Sequence, residues 1–327
     1  MRICIYGAGA IGGYLGAMLA EAGHEISLVA RGEHLRALHA NGLTLEVGGR
    51  SLRSRPSASE NPADLGPQDH VIVSVKSPAL RSVALGIAPL LGRDTTIVTA
   101  INGIHWWFFH GFGGAHDGRA LKSVDRDGTL ARLIDNRRII GCVVHAGCSV
   151  PAPGVIRHAS GDRFIIGEPA GGESARCRAL AQALTAAGLN CTISPRIQQD
   201  VWMKYLGNMS MGPISLLTGA TLLGIARDPG ARKVCADLMA EGIAVGDKFG
   251  LDPGMTIDQR IELGAELGDF KPSMLQDLEK GRPVELDTFL DVAVEMARLA
   301  CVPVPTIETV QALAVQKARL AGIYPVA

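Results

Sequence analysis

The sequence predicts an α/β fold in two parts, a doubly wound, mostly parallel N-terminal sheet and an all-helical C-terminal domain. Three observations carry that reading. Short apolar runs alternate with helical patterns through the first half, turn-forming residues punctuate them, and from about Pro195 only helical periodicity remains. At 327 residues the chain exceeds one ordinary domain. The boundary is placed between residues 1–195 and 196–327.

The first strand, Met1-Arg2-Ile3-Cys4-Ile5-Tyr6, breaks into Gly7-Ala8-Gly9-Ala10-Ile11-Gly12. In this Gly-x-Gly-x-x-Gly spacing the first glycine permits a tight turn, the second lets backbone approach a pyrophosphate, and the third lets helix and strand pack closely. The phosphates then sit on the N-terminus of the helix marked by Ile11, Leu15, Met18, Leu19 and Ala22, which ends at Gly23. A second strand, Glu25-Ile26-Ser27-Leu28-Val29, follows within one βαβ unit. Where the fingerprint expects an acid for the ribose hydroxyls the chain has Ala30-Arg31. A carboxylate would repel a 2′-phosphate and a guanidinium pairs with it, so Arg31 argues for NADP(H) over NAD(H); a solvated arginine after a strand is the alternative. Residues 1–195 are therefore expected to form a Rossmann-type NADP-binding domain.

After Arg31 come a hairpin, Leu43-Thr44-Leu45-Glu46-Val47 turning at Gly48-Gly49, then the strand His70-Val71-Ile72-Val73-Ser74-Val75, a helix, and the strand Thr95-Thr96-Ile97-Val98-Thr99-Ala100. Ligands of such sheets lie beyond the carboxyl ends of the strands, where Lys76 and Asn102-Gly103 stand. Strand patterns at 139–144, 155–158, 163–167 and 191–194 extend the same sheet. In the helical half, Asp228-Pro229 caps a helix ending near Gly250, and Thr306 opens the last one.

Composition narrows the partners. Thirty-two basic residues balance thirty-two acidic ones, so no net field attracts nucleic acid or an anionic membrane, and a small molecule is favoured. Seven cysteines scattered from Cys4 to Cys301 fit reduced thiols in a cytoplasmic protein. Arg2 ahead of an apolar stretch mimics a signal peptide, but its glycines weaken that reading. Residues 205–226 carry no formal charge, yet Asn208, Ser210, Pro213, Ser215, Thr218 and several glycines make a buried helical hairpin the expectation over a membrane span. Cys142-x-x-His145-x-x-Cys148 lies in a strand-like run whose positions three apart face opposite ways, so no metal is expected there.

The chemistry is sought in the second half. Lys204 and Asn208 are four apart on one helix face, so a cation and an amide converge on one ligand. Further on, Lys271-Pro272-Ser273-Met274-Leu275-Gln276-Asp277 reads as a short helix, broken at Gly281 and followed by a new helix begun by Pro283. Taken alone, Ser273-x-x-Gln276 is a capping box, Asn102-Gly103 a plain turn, and Glu285 a first-turn acid favouring the helix dipole.

Together these segments resemble the ketopantoate reductases, the NADPH-dependent 2-dehydropantoate 2-reductases of pantothenate synthesis. The resemblance runs nearly end to end, through the glycine turn, Arg31, Val75-Lys76, Asn102-Gly103, Lys204-x-x-x-Asn208, residues 272–277 and Glu285. It implies Lys204 as proton donor, Asn208 and Ser273 as substrate ligands, Lys76 and Asn102 as groups around nicotinamide and substrate, and Glu285 as a partner of cofactor or substrate. The implied reaction is NADPH-dependent reduction of 2-dehydropantoate (ketopantoate) to pantoate, toward pantothenate and coenzyme A, in a cleft between the two domains. Hydride addition to a ketone leaves an alkoxide, and a lysine whose pKa is depressed by burial suits the developing oxygen.

Two features depart from the family pattern. Where many members carry a second asparagine, this chain has Gly212-Pro213, which removes a substrate hydrogen bond. An insertion, His105-Trp106-Trp107-Phe108-Phe109-His110-Gly111-Phe112, reads as a substrate lid or the contact of a homodimer in preference to a local core. A reductase of another 2-oxo acid and a catalytically silent NADP(H)-binding sensor remain the alternatives.

Overall fold

Ile3, Cys4 and Ile5 have no solvent exposure at all, because β1 (Arg2–Tyr6) runs through the middle of a sheet covered on both faces. A computed structural model describes residues 1–325 and divides the chain into two units. Unit 1 comprises Met1–Asn102, Trp107–Ala120 and Gly128–Ile197; unit 2 comprises Gly103–Trp106, Leu121–Asp127 and the chain from Gln198.

In unit 1, β1 pairs in parallel with β2 (Glu25–Val29) on one side and β6 (Gln68–Val73) on the other. β6 pairs in parallel with β7 (Leu91–Thr99), and β7 with β8 (Ile139–Ala152). β8 returns antiparallel as β9 (Val155–Gly167), which is flanked by β3 (Leu43–Val47) and by β10 (Asn190–Ile193). The hairpin partner β4 (Arg50–Ser54) and the short β5 (Ser57–Ser59) complete a ten-stranded sheet. The β3–β4 turn holds Gly48 and Gly49 at φ +54° and +74°, the left-handed pair that a two-residue hairpin demands. The helix α1 (Ala10–Glu21) buries Leu15 and Leu19 against this sheet, where Leu28 is also sealed; each such side chain contributes roughly 2 kcal/mol.

Three elements of unit 1 depart from expectation. A helix, α2 (Gly32–Asn41), stands between Arg31 and the hairpin; only Leu38 of it is fully buried, too narrow an apolar stripe to announce a helix in sequence. The edge strand β5, only three residues long, was equally silent. From Trp107 to Phe109 the aromatic segment is packed inward and does not stand open as a lid or contact would. Trp107, Phe108 and Phe109 are at most 1% exposed, Phe109 meets Phe108 and Phe112 edge-on at 5.4 and 5.0 Å, and the Arg196 guanidinium lies 5.2 Å over Phe112. So many large rings bury too much apolar area to be left at a surface, and they form a local core. After α3 (Leu80–Gly86) and α4 (Thr129–Leu133), α5 (Ala175–Ala186) is capped by the Ser174 hydroxyl on Cys177 N.

Unit 2 is helical and built on α6 (Ile197–Thr218), whose Trp202, Tyr205, Leu206, Met209 and Leu216 are buried. Its hydroxyls are taken up by main-chain carbonyls, Ser210 Oγ to Leu206 O at 2.8 Å and Ser215 Oγ to Ala220 O at 2.6 Å, and the uncharged stretch 205–226 runs from α6 through a turn into the next helix. No described helix is long and apolar enough to cross a membrane. Then follow α7 (Leu222–Arg227), α8 (Pro229–Lys248) capped by Asp228 on Ala231 N, and α9 (Ile257–Ala265) opened by a reciprocal Thr256–Gln259 capping box.

The next expectations are corrected. In α10 (Ser273–Glu279), Pro272 occupies the cap, Ser273 makes no capping bond, and Gln276 Nε2 donates to Lys271 O at 2.8 Å. No helix begins at Pro283: residues 282–286 are irregular, and the helix resumes as a π-turn at Asp287–Asp291 that runs into α11 (Val292–Ala300). Glu285 is thus outside any helix, just before the cap residue Leu286 of the π-turn and not in the first turn of a helix begun by Pro283. The Arg282 guanidinium closes on the buried Asp277 carboxylate at 2.8 Å, holding the chain in this irregular path. The last helix, α12 (Pro305–Leu320), starts with proline in its first turn.

Six of the seven thiols are wholly or partly sheltered, and burial pushes those of Cys4, Cys148 and Cys191 up to about 12; Cys301 is exposed. Native-state alkylation near neutral pH, mapped by peptide mass spectrometry, is expected to label Cys301 first. Equally fast labelling of Cys4 or Cys191 would contradict this packing.

Candidate active site

Parallel register sets the first half of the site. Tyr6 is paired with both Val29 and Val73, and Val73 with Thr99, so β1, β2, β6 and β7 end in one row. The residues just beyond that row are the glycine turn after β1, Arg31 after β2, Lys76 after β6 and Asn102 after β7. Unit 1 therefore gathers all its predicted site residues at the carboxyl edge of four adjacent strands.

The turn itself is over-determined. Gly7 has φ +102°, and a side chain there would begin 2.6 Å from Val75 Cγ1. At Gly12 a Cβ would strike Gly7 O and Ser74 Oγ and come within 2.7 Å of Ile5 Cγ2. Gly9 differs, since a Cβ there would meet nothing within 4 Å. Its surroundings leave room for a ligand against bare backbone. The first-turn amides of Ala10, Ile11 and Gly12 have no acceptor among the described residues, and no acid stands in that turn. A dinucleotide pyrophosphate fits this cradle, with the positive end of α1 toward it.

Two supports of the turn were not singled out from sequence. Ser74 Oγ donates to Gly7 O at 2.9 Å, tying the end of β6 to the turn; its only signal was a polar residue closing an apolar run. His34 meets the turn at the Ala8 backbone, an interaction that opposes the lowering of its pKa by burial, and its Nδ1 accepts from Gly154 N at 3.1 Å. Arg31 is exposed and forms the N-cap of α2, which leaves its guanidinium accessible to a phosphate.

In unit 2, Lys204 and Asn208 stand one turn apart on α6, both partly exposed, while Tyr205 and Met209 beside them are buried. Tyr205 Oη donates to Phe289 O at 2.6 Å and its ring stacks on Phe289 at 6.2 Å, fixing the π-turn against α6. Glu285, which is 9% exposed, sits three residues before Thr288 of that turn, whose hydroxyl lies 3.4 Å from Glu285 O. One turn beyond Asn208, Gly212 leaves space for Met274, whose Sδ is 3.3 Å from where a Gly212 side chain would begin. Ser273, exposed at the start of α10, immediately precedes Met274. Sequence reasoning passed over Arg260 of α9, which borders the same face of α6 at Gly207.

Among the described residues no group of three or more His, Cys, Asp or Glu converges where it could hold a metal ion. Cys142 is buried while His145 is exposed on the same strand, as alternation along β8 requires.

A parallel sheet with a dinucleotide cradle, followed by a helical unit presenting a lysine and an amide on one face, defines a nucleotide-dependent oxidoreductase. Residues 3–171 match the family model "Ketopantoate reductase PanE/ApbA", and residues 196–318 match its C-terminal counterpart. The chain belongs to the ketopantoate reductase family. It is 44% identical to a 2-dehydropantoate 2-reductase of Mesorhizobium japonicum over 99% of its length and all of that protein. A candidate ketopantoate reductase from Ralstonia solanacearum superposes with a TM-score of 0.95 at 45% identity, covering 99% of both chains. D-mandelate dehydrogenase, solved with NADH and anilino(oxo)acetate, shares the fold at TM-score 0.83 and 19% identity, with coverage of 99% and 100%. Ketopantoate reductases use NADPH.

The open space at Gly9 makes a clean test of the cradle. Gly9→Ala is expected to change thermal stability by no more than about 0.5 kcal/mol. Titration should nevertheless show NADPH binding weakened by about tenfold or more, because the methyl group occupies the phosphate path. Undiminished binding would remove the pyrophosphate from this turn.

Proposed function

We propose that the chain reduces 2-dehydropantoate to pantoate with NADPH as hydride donor, and that Lys204 protonates the developing oxygen. The observation that carries this reading is the pairing of Lys204 and Asn208 on one face of α6 in a chain of this family. The residues expected to hold the cofactor are those of the turn at 7–12, with Arg31 on the 2′-phosphate and Lys76 and Asn102 nearer the nicotinamide and substrate. Bound NADPH supplies the hydride.

The remaining work falls to side chains. As the carbonyl carbon gains hydride, its π electrons move to oxygen, and the Lys204 ammonium gives that oxygen a proton, leaving a neutral amine that solvent reprotonates. Asn208 offers an amide N–H to the same oxygen or its neighbour, and Ser273 a hydroxyl to the substrate. Glu285 accepts from a substrate or cofactor hydroxyl. Seven cysteines, none joined in a disulfide among the described residues, support a cytoplasmic setting.

A second reading, reduction of a different 2-oxo acid, is favoured by one observation. Met274 packs against Gly212, one turn beyond Asn208, where the family resemblance implies a second amide, so an apolar contact stands there in this chain. A panel of 2-oxo acids assayed with NADPH separates the two readings, and turnover of none would favour an NADP(H)-binding sensor.

Lys204→Ala is expected to slow hydride transfer itself by about 10²- to 10⁴-fold in single-turnover stopped-flow measurements. An unchanged rate would reject Lys204 as the acid. Arg31→Asp should lower the kcat/KM ratio of NADPH to NADH by at least about tenfold, the share of a charge-assisted hydrogen bond; an unaltered ratio would assign the 2′-phosphate elsewhere.

A further inference from the structure

The face of α6 that carries Lys204 and Asn208 is bordered by a cation to which no role has yet been given. Arg260 projects from α9 across Gly207, with its Nη1, Cδ and Cγ at 3.7, 3.8 and 3.9 Å from the point where a Gly207 side chain would begin. Gly207 is three residues after Lys204 and one before Asn208. Residues three apart on a helix have their Cβ positions roughly 5–6 Å from one another, so the guanidinium lies alongside the lysine strip.

Its position is held by packing. A Cβ at Gly254, before α9, would come 2.5 Å from Met203 Cε, and one at Gly264, within α9, would come 2.6 Å from Met211 Cε. The approach of α9 to α6 is therefore close on both sides of Arg260. The acids of α9 turn away from it: Asp258 and Glu262 both pair with Arg232 at 2.7 Å, and Glu262 also with Arg227 at 3.2 Å.

Arg260 thus keeps a half-buried positive charge without a carboxylate partner among the described residues. Its Nη2 donates to Pro253 O at 2.8 Å, and burial lowers its pKa from the ordinary guanidinium value. A guanidinium has five N–H donors in a planar fork, and a sheltered charge is costly unless an anion meets it. The planar fork is matched in shape and sign by the carboxylate that every 2-oxo acid carries.

We propose that Arg260 binds the carboxylate of the 2-oxo acid, making it a specificity-determining residue that selects acids over neutral ketones. This rests on the reductase reading above. The arginine also supplies, from α9, a substrate contact that Gly212 no longer offers from α6.

The test compares 2-dehydropantoate with its methyl ester, both with saturating NADPH, in wild type, Arg260→Met and Arg260→Lys. Arg260→Met is expected to raise KM for the acid and to lower the acid-over-ester preference in kcat/KM by about 10- to 100-fold. Arg260→Lys should recover part of that preference, because it restores charge without the fork. An unchanged KM for the acid, or an equal loss on acid and ester, would overturn the assignment while leaving the reductase reading intact. A wild-type enzyme that reduces no 2-oxo acid would overturn both. If Arg260→Met does not fold, the Arg260→Lys preference alone decides, a value equal to wild type counting against the fork.

Discussion

At Gly12 there is no room for one more carbon atom. Gly7 O, Ser74 Oγ and Ile5 crowd the space a side chain would need, and that closeness seats the start of α1 on the end of β1. The rest of unit 1 depends on it. With α1 seated there, its first-turn amides overhang the carboxyl edge of the sheet, and the common register of β2, β1, β6 and β7 delivers Arg31, Lys76 and Asn102 to the same edge. A strand slipped by one residue would turn each of these away.

Unit 2 solves a different problem, that of offering polar groups from a helix whose other faces are core. Tyr205 anchors the π-turn through Phe289 O, and that anchor fixes the turn that follows Glu285 against α6. A π-turn inserts one residue relative to an α-helix and so redirects what precedes it. The functional side of α6 is bare in places, at Gly207 and Gly212, and neighbouring helices fill these gaps with Arg260 and Met274. The neighbours of Lys204 and Asn208 on this side are thereby supplied by α9 and α10 as well as by α6 itself.

Much of this was legible beforehand because it is local. The glycine spacing, the apolar strand before it and Arg31 at the next strand end are read within about thirty residues, and the helical spacing of Lys204 and Asn208 follows from 3.6 residues per turn. Misreadings came where a local pattern had a tertiary outcome. Ser273 and Gln276 have the spacing of a capping box, yet Pro272 takes the cap. Pro283 has the form of a helix start, yet the Arg282–Asp277 pair keeps that stretch irregular. The aromatic run had the composition of an interface, yet Gly141 leaves the space that Trp107 occupies and the rings close on one another.

By itself, the sequence determined the sheet-then-helices order, the dinucleotide turn and the candidate acid, because each is encoded by spacing along a single element. Only the tertiary structure decided where Glu285 lies, that the aromatics are core, and that Arg260 borders the Lys204 face. Those outcomes depend on side chains far apart in the chain competing for the same volume, and no periodicity along the chain records that competition.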